Sequence, residues 1–229
     1  MNIFPLVAPL LADDQTAAAV LDAVPCYPVP PSGSSPAIDA LRASRAGHGF
    51  IVGRDGMMLI LRRPWLALDY RVTEGPECHA PYGDVGADDI KLRCGLIPGD
   101  LLEEATDQFH AALPNEAAAF VLWNERTGEF ALEFPAIDEA TPSRLVYRTP
   151  QPGPDLHVVV DMHSHGRGGA FFSATDNADD AHATKIAMVL GHVDQPENVQ
   201  IVTRLCASGM FISLKRFPFD VTEEPADAA

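Results

Sequence analysis

Two histidines stand one residue apart at the end of an apolar run, in the segment DMHSHGRGGAFFSATDNADD, residues 161–180. Side chains two residues apart in a strand point to the same face, so His163 and His165 project together. Two imidazole nitrogens on one face can bind a single Zn²⁺ at about 2.0–2.1 Å each. Asp176, in the first turn of a predicted helix, is a candidate third ligand. The segment therefore predicts a zinc site with one ion per chain.

The same residues also fit an arrangement without chemistry. A His-x-His pair is common at a strand end, and Ser173-x-x-Asp176 has the form of a helix capping box, with Asp in place of Glu or Gln. Glu116, taken alone, is a surface carboxylate after a helix. A capping Ser173 can still line a metal site, so its two interpretations are compatible. The residues alone leave two alternatives: a metal centre, or a strand, a glycine loop and a capped helix.

The run from His163 to Asp176 resembles the JAMM motif, H-x-H-x7-S-x2-D, of the MPN (JAB) metalloprotease family at each motif position. That family also has a glutamate between its first helix and the next strand, and LPNEAAAFVLW places Glu116 there. The resemblance covers roughly residues 96–215. It implies the family's mixed α/β sandwich, a cytidine-deaminase-like fold in which helices flank a central mixed β-sheet.

The resemblance also implies a role for each residue. His163, His165 and Asp176 would bind zinc, and water would take the fourth position with its pKa lowered by the metal. Glu116 would take a proton from that water and return one to the leaving amine. Ser173 would donate a hydrogen bond to the oxyanion. The implied reaction is hydrolysis of an amide or isopeptide bond next to the C-terminus of a ubiquitin-like or sulfur-carrier-like protein.

Other polar residues near the motif have two interpretations each. Asp161 shares the strand face of the histidines and is either a partner for an imidazole N–H or a solvated residue. Arg167 either contacts a substrate carboxylate or carbonyl or is solvated. Gly166 stands where many family members have Pro, and the glycines of GRGGAFF predict a loop that is mobile without substrate. We expect structural or surface roles for His157, His182 and His192.

Changes in the spacing of apolar residues along the chain predict the helices and strands that must position these residues. LHVVVDM predicts a strand that leads into the histidines, and ATDNADDAHAT predicts a helix. Upstream, apolar residues at helical spacing between Asp100, taken as the N-cap, and Pro114, a stop, predict another helix. AAAFVLW and FALEF flank the turn NERTGE, and KIAMVLGHV, NVQIVTRLC and MFISLKRF predict three further strands. This order indicates an α+β fold with a mixed sheet.

The front of the chain is mostly β. Two apolar runs flank Arg54-Asp55-Gly56, which predicts a hairpin because Asp-Gly tolerates the positive φ of a tight turn. WLALDYRV predicts a third strand, and IKLRCGLIP predicts a short strand that ends at Pro98. Residues 25–36, rich in Pro, Ser and Gly, predict an extended loop or linker. We expect a mostly β accessory region at 1–95, a JAMM/MPN hydrolase domain at 96–218 and an acidic, disordered tail at 219–229.

A second resemblance lies in this front region. LRRPWLALDYRV and APYGDVG, which lead through KLRCGLIP into the JAB-like part, are similar to the PRTRC system protein A family. That family belongs to a bacterial cassette with ParB-related and ThiF-related proteins, so the resemblance implies an E1-like protein as a further partner. From the residues alone, Arg62, Arg63 and Trp65 form either a partner-binding patch or, as we favour, a strand with a packed tryptophan and solvated arginines.

The 229-residue chain carries 32 acidic and 16 basic residues, a formal net charge of −16. Such an excess repels nucleic-acid phosphate and anionic membrane, so we expect neither as a partner. The apolar N-terminus MNIFPLVAPLLADDQT lacks a preceding Lys or Arg and contains two prolines, so it predicts neither a signal peptide nor a membrane span. The scattered Cys26, Cys78, Cys94 and Cys206 predict free thiols of a cytoplasmic protein.

Three functions compete at this point. The leading hypothesis is a zinc-dependent peptidase or isopeptidase, because the set of motif residues is complete. The second is a non-catalytic scaffold that binds the E1-like and ubiquitin-like cassette proteins, although metal-free MPN relatives usually lack the ligands. The third is a role on DNA, suggested by the ParB association and by the JAB-like RadC family, and the net charge opposes it.

Overall fold

The computed structural model describes residues 23–75 and 81–221. Two compact units divide the chain, residues 1–93 and residues 94–229. Each has its own main sheet, and few helices accompany the strands. The α+β class predicted from the sequence is therefore confirmed. Within the described residues, no helix is both long and apolar enough to cross a membrane.

The first unit is built on a five-stranded sheet. The strands lie in chain order across this sheet, with the first pair parallel and the other pairs antiparallel. Two of the antiparallel pairs are joined by two-residue turns, which suffice to connect consecutive antiparallel strands. The elements are β1 (Cys26–Pro28), α1 (Pro36–Ala43), β2 (Gly47–Gly53), β3 (Gly56–Arg63), β4 (Leu66–Glu74) and β5 (Asp89–Leu92).

The hairpin between β2 and β3 forms at the predicted Asp-Gly turn. Gly53 pairs with Gly56, and Gly56 has a φ of 140°, which side chains rarely adopt. A Cβ at Gly56 would lie 2.1 Å from the Thr73 carbonyl oxygen, so the approach of β4 also requires glycine here. One buried apolar cluster of this unit contains Val29, Ile38, Ile51, Met58, Ile60 and Val85.

The prediction of a loop or linker at residues 25–36 is wrong in part. β1 lies inside this segment and pairs parallel to β2. α1 begins at its end, where the Ser35 side chain caps the helix by accepting the Ile38 N–H at 3.5 Å. Three strand residues among prolines, followed by an eight-residue helix, give too short a periodic signal to recognise in the sequence.

The Arg62-Arg63-Trp65 run combines one expected and one unexpected result. Trp65 is packed, with 3% of its surface exposed, as the strand interpretation predicts. Arg62 is 6% exposed, so the prediction that it is solvated is wrong. Its guanidinium lies 2.7 Å from the Asp69 carboxylate and donates to the Leu68 carbonyl at 2.9 Å. Pairing of this kind permits a buried charge, and it removes Arg62 from any exposed patch.

The second unit contains a six-stranded sheet, two pairs of short strands and two α-helices within the described residues. Its first half comprises β6 (Ile97–Pro98), α2 (Gly99–Ala111), β7 (Ala118–Asn124), β8 (Phe130–Glu133), β9 (Ile137–Thr141) and β10 (Arg144–Tyr147). Its second half comprises β11 (Leu156–Ser164), α3 (Ala174–Asp180), β12 (Lys185–Gly191), a 3₁₀ turn (Pro196–Asn198), β13 (Gln200–Ala207), β14 (Met210–Ile212) and β15 (Phe219–Asp220).

The large sheet has the strand order β14-β13-β12-β11-β7-β8. β11 and β12 are parallel, and the remaining pairs are antiparallel. The central strands are apolar runs whose side chains are buried, as expected where both faces of a sheet are covered. α2 contacts β7 and β8 and buries Leu102, Ala105 and Phe109. β11, which ends between the two histidines, lies in the middle of the sheet because it pairs with β7 on one side and β12 on the other.

Two boundary predictions at the start of the second unit are wrong. IKLRCGLIP does not form one strand, because β5 and β6 are separated by a turn in which Gly95 has a φ of 87°. α2 begins directly after Pro98, so Asp100 lies in the first turn and does not cap the helix. The Asp100 carboxylate accepts the Leu101 N–H at 3.0 Å. Its negative charge still interacts favourably with the positive end of the helix dipole.

Three differences concern the rest of the unit. The antiparallel hairpin of β9 and β10 was not predicted from the sequence. The strand expected over MFISLKRF ends at Ile212. The tail expected to be disordered from residue 219 begins with β15, which pairs parallel with β6, and residues 222–229 lie outside the described residues.

Candidate metal centre

The end of β11 positions the two histidines. His163 is the next-to-last residue of the strand, and the N–H of His165 donates to the Leu190 carbonyl of β12 at 2.8 Å. Ser164 between them is fully buried, and its Oγ accepts the Ala117 N–H at 3.1 Å. The alternation of the strand therefore places both imidazoles on the other face, with ring centroids 5.2 Å apart.

A hydrogen bond fixes the orientation of His165. Its Nδ1 lies 3.1 Å from the Gly169 carbonyl oxygen, which can only accept, so Nδ1 carries the proton. Nε2 then has the free lone pair, which is the usual state of a metal-binding histidine held by a backbone carbonyl. The Phe171 ring stands edge-on to this imidazole, with centroids 4.6 Å apart. The loop after the strand thus orients the His165 ring before any ion binds.

α3 presents Asp176 to the histidines. Ser173 is the N-cap of this helix, and its Oγ accepts the Asp176 N–H at 3.2 Å. In return, Oδ2 of Asp176 accepts the Ser173 N–H at 2.6 Å, which completes the capping box. The other carboxylate oxygen, Oδ1, lies 3.5 Å from Nε2 of His163. Asp176 can therefore cap the helix with one oxygen and face the histidines with the other.

The three candidate ligands fit a zinc ion. One ligand atom each from His163, His165 and Asp176 lies within 4.8 Å of the other two. Two ligand atoms at about 2.0–2.1 Å from a tetrahedral ion stand about 3.3 Å apart. The 3.5 Å between Nε2 of His163 and Oδ1 of Asp176 is close to this spacing and longer than a good hydrogen bond. Two imidazoles and a carboxylate are also a donor set of catalytic zinc sites.

Electrostatics favour the metal-binding form of His163. Burial lowers the pKa of its imidazole and outweighs the opposing effect of the Asp176 carboxylate, so the pKa lies below the usual value for histidine. The neighbouring His165 lowers it further. At neutral pH the ring is therefore neutral and has a lone pair available for a cation. All three candidate ligands are partly buried, which weakens solvent screening of an ion held between them.

Glu116 lies close to these ligands, in the connection between α2 and β7. Its N–H donates to the Thr141 carbonyl of β9 at 3.0 Å, which ties this connection to the β9–β10 hairpin. Burial raises the pKa of the Glu116 carboxyl, the charge of His165 lowers it, and the charge of Asp176 raises it, with a net increase. A carboxyl with a raised pKa beside two candidate ligands has the properties of a general base.

Comparison with known families agrees with this geometry. Residues 98–205 match the family of prokaryotic homologs of the JAB domain. This part of the chain is therefore similar to JAB domains, and we refer to residues 98–205 as the JAB domain. Residues 14–93 match a domain of unknown function, DUF2016, and the two matches together fit the architecture expected from the PRTRC resemblance. A search of curated proteins finds no match.

Asp161 of the JAB domain lies on β11, two residues before His163, and is 5% exposed. Its Oδ1 accepts the Tyr147 hydroxyl at 2.9 Å, and its Oδ2 accepts Nζ of Lys185 at 2.5 Å. Asp161 is therefore not solvated, and both of its oxygens have partners that the sequence did not indicate.

The glycine loop of the JAB domain, residues 166–170, packs on the end of β12. Two of its carbonyls accept the N–H groups of His192 and Val193 at 2.7 and 2.9 Å. Gly191 permits this approach, because a Cβ there would lie 2.2 Å from a backbone nitrogen of the loop. Arg167 is exposed, in a position open to solvent or to a bound molecule. These contacts fix the loop backbone to the end of β12, although its glycines predict a mobile loop.

Three other histidines, His157, His182 and His192, are not part of the group of candidate ligands. Nε2 of His157 lies 3.1 Å from the Glu125 carboxylate, and its ring is tilted against Trp123. His182 is exposed. Nδ1 of His192 lies 3.1 Å from the Arg167 carbonyl oxygen. The three histidines therefore have structural or surface positions.

A group of charged and polar residues next to the candidate ligands was not evident from the sequence. A signal was present, because Lys185 opens the buried strand KIAMVLG and Arg204 interrupts the apolar run IVTRLC. Charged residues are rarely buried without a partner, so each position indicates a carboxylate nearby in the fold. The residues missed are Tyr147, Asp180, Lys185 and Arg204.

Proposed function

We propose that the JAB domain is a zinc-dependent peptidase or isopeptidase. The proposal depends on one observation, the grouping of three ligand atoms from His163, His165 and Asp176 within 4.8 Å of one another. The Glu116 carboxyl is near enough for the charges of His165 and Asp176 to affect its pKa. Zinc, when bound by His163, His165 and Asp176, supplies Lewis acidity toward a carbonyl oxygen and toward water. The arrangement combines a candidate cation site with a base of raised pKa, the combination that metal-assisted hydrolysis of an amide uses.

Glu116 and Ser173 perform the remaining tasks in this proposal. Glu116 takes a proton from the attacking water and delivers it to the leaving amine. The capping box uses Oγ of Ser173 as an acceptor, which leaves the hydroxyl proton free for another partner. This hydroxyl donates a hydrogen bond to the carbonyl oxygen as negative charge develops on it.

The substrate class in this proposal is the C-terminal region of a ubiquitin-like or sulfur-carrier-like protein, joined by an amide or isopeptide bond. The resemblance to the JAMM and PRTRC families supports this class and supports an E1-like protein as a further partner. The proposed location is the cytoplasm, where free thiols persist, and Cys26, Cys94 and Cys206 are unpaired in the described residues.

The first experiment is the metal content of the purified protein, measured by elemental analysis alongside two variants. We expect about one zinc per chain in the parent and in Glu116→Gln, which leaves the ligands intact. Asp176→Asn keeps an acceptor for the helix cap and replaces the ligand carboxylate, so we expect it to lose zinc while it remains folded. A parent that takes up no zinc after reconstitution would sink the proposal.

A second experiment tests turnover. Ubiquitin-like and sulfur-carrier-like proteins with C-terminal extensions are incubated with the zinc-loaded protein, and cleavage is followed by mass spectrometry. We expect release of the extension by the parent and none by Glu116→Gln. Binding of these proteins without cleavage, by a chain that holds no zinc, would favour the scaffold function instead.

A further inference from the structure

Four mostly buried charged side chains lie next to the candidate zinc ligands. We refer to Asp161, Asp180, Lys185 and Arg204 as the anchor cluster. Two are acidic and two are basic, so the cluster is neutral overall. Their side chains are 5%, 7%, 16% and 8% exposed, respectively. Charges this deep require close partners, and each member of the anchor cluster has them.

Lys185 connects the strand of the histidines to the helix of Asp176. Its Nζ lies 2.5 Å from Oδ2 of Asp161 on β11 and 2.7 Å from Oδ1 of Asp180 on α3. Asp161 precedes His163 by two residues on the same strand face. One ammonium group thus links the two elements that supply the ligands, and the Tyr147 hydroxyl holds Asp161 from the other side.

Arg204 binds the same helix from β13. Its Nη2 lies 2.6 Å from Oδ2 of Asp180, and its Nη1 donates to Oδ1 of Asn177 at 2.5 Å. The guanidinium also lies between two aromatic rings, 3.7 Å from the centroid of Phe172 and 3.8 Å from that of Phe211. Stacking of this kind fixes the plane of the guanidinium and hence the direction of both contacts to α3.

α3 depends on such contacts for its position. It has seven residues, and Asp180 is the buried one among them. A helix of two turns is not stable by itself in water, so packing or polar contacts must hold it. Asp176 and Asp180 are four residues apart and therefore lie on one face of the helix. Holding Asp180 consequently sets the position of Asp176, one turn earlier.

We infer that Lys185 and Arg204 are positioning residues of the metal centre, which set the distance of Asp176 from the histidine pair by holding α3 against β11, β12 and β13. This inference rests on the proposed function, because Asp176 must bind zinc for its position to matter. Apolar side chains of similar volume would also fill this space, often with equal or greater stability. Directional ion pairs add what apolar packing lacks, a defined rotation and height of the helix.

The test compares zinc affinity and local opening in matched variants of the full chain. Lys185→Met removes the ammonium at similar length, and Lys185→Arg keeps a cation. Arg126→Met is the control, because it breaks an ion pair with Asp155 whose side chains are 77% and 57% exposed. Zinc affinity is measured by competition with a chelator. Hydrogen exchange of residues 174–180 is measured in the metal-free protein.

We expect Lys185→Met to bind zinc about 10–100-fold more weakly than the parent, the usual range when a contact outside the ligands themselves is lost at a metal site. We expect its α3 amides to exchange faster in the metal-free state while the central strands stay protected. Lys185→Arg should recover most of the affinity, and Arg126→Met should match the parent in both measurements. A residue with a merely structural role would lower the melting temperature without this local change.

Unchanged exchange of residues 174–180 in folded Lys185→Met would overturn the inference, whatever the zinc affinity. A zinc affinity within twofold of the parent would overturn it as well. If Lys185→Met does not fold, Arg204→Lys replaces it, because lysine keeps the charge and cannot make both contacts to α3. If the parent binds no zinc, the proposed function fails, and the exchange measurement alone decides whether the anchor cluster holds α3.

Discussion

Asp176 uses its two carboxylate oxygens for different purposes. Oδ2 accepts the Ser173 N–H at 2.6 Å, and Oδ1 lies 3.5 Å from Nε2 of His163. His165 is similar, since Nδ1 is tied to the Gly169 carbonyl and Nε2 is free. Backbone groups therefore orient both side chains without help from an ion. Because the ligand side chains are already oriented, ordering them opposes metal binding less.

Glu116→Gln separates catalysis from metal binding. The amide has nearly the same shape as the carboxylate but cannot take a proton, and general base catalysis typically contributes about 10²–10⁴-fold to a rate. We expect kcat to fall by at least that range while zinc content is unchanged, measured with a peptide or protein substrate. Glu133→Gln, at an exposed position of β8, is the matched control and should keep full activity. Substantial turnover by Glu116→Gln would refute the assignment of the base.

The reactivity of the cysteine thiols tests whether they are buried in the native fold, and this test does not depend on zinc. Burial raises the pKa of Cys94 to about 11 and that of Cys206 to about 12. The thiolate is the reactive form, so both should be almost unreactive toward iodoacetamide at pH 7.5 in the native protein. Mass spectrometry of the labelled peptides should show Cys206 modified only after unfolding in urea. Native labelling of Cys206 at the rate of a free thiol would show that β13 opens readily. Cys78 lies outside the described residues and supplies no comparison.

At the scale of elements, the metal centre is assembled from one long strand and one very short helix. β11 has nine residues and pairs with a strand on each side, so its position is determined by the sheet. α3 has seven residues and depends on its cap and on the anchor cluster. The strand end is therefore the fixed half of the site, and the helix is the half that substitutions can displace.

Ser173→Ala tests the two roles of the serine. Loss of an N-cap side chain typically costs about 1 kcal/mol. Ser35→Ala removes the N-cap of α1 in the first unit and is the control for this loss alone. We expect both variants to lose stability by a similar amount in urea unfolding, each in its own unit. Only Ser173→Ala should lose activity, by about 10²-fold or more, because an oxyanion donor is also removed. Equal activity of the two variants would restrict Ser173 to capping.

The grouping of the three candidate ligands was predictable because its signals are local. An apolar strand ends in His-x-His, and a capping box follows within a few residues, so spacing alone brings the ligands together. The β9–β10 hairpin was not predictable in this way. Its strands have five and four residues, most of them exposed or half-buried, so no apolar face marks them. Only the fold shows that Thr141 of this hairpin contacts Glu116.

Ion pairs between residues far apart in the chain were also not predictable from the sequence. Lys185 and Asp161 are 24 residues apart, and Arg204 and Asp180 are also 24 apart. Nothing in a window of ten residues indicates such a pairing. The burial of Arg62 has a different cause, because its partner Asp69 is only seven residues away and comes next to it through the pairing of β3 with β4. Charged residues inside apolar strands were visible, and their partners became visible only with the register of the sheet.

For the whole molecule, unpaired acidic side chains outnumber unpaired basic ones by a larger ratio than the composition alone shows. At least nine of the 16 basic side chains form ion pairs with carboxylates within the described residues. Cations paired in this way attract a phosphate backbone less strongly, which adds to the effect of the net charge of −16. We propose that protein partners of this chain approach with a basic surface, and that their association weakens as salt rises.

The anchor cluster should also shape the acid stability of the molecule. Burial raises the pKa of Asp180, but the contacts with Lys185 and Arg204 outweigh it and leave the pKa below the usual value. A carboxyl with a lowered folded pKa stabilises the fold above its unfolded pKa, about 3.9, and this contribution disappears as pH falls through the folded pKa. Asp180→Asn should therefore be less stable than the parent by about 2 kcal/mol near pH 6, the size of hydrogen bonds to a charged group.

Urea unfolding of the metal-free proteins between pH 3 and pH 7 measures this difference. We expect a constant gap between parent and Asp180→Asn from neutral pH down to about pH 5, and a shrinking gap below about pH 4. Asp138→Asn is the control, because its ion pair with Arg148 has side chains 44% and 73% exposed and should contribute little at any pH. A gap that stays constant to pH 3, or no gap at pH 6, would mean that the ion pairs of Asp180 do not stabilise the fold. α3 would then be held chiefly by its capping box.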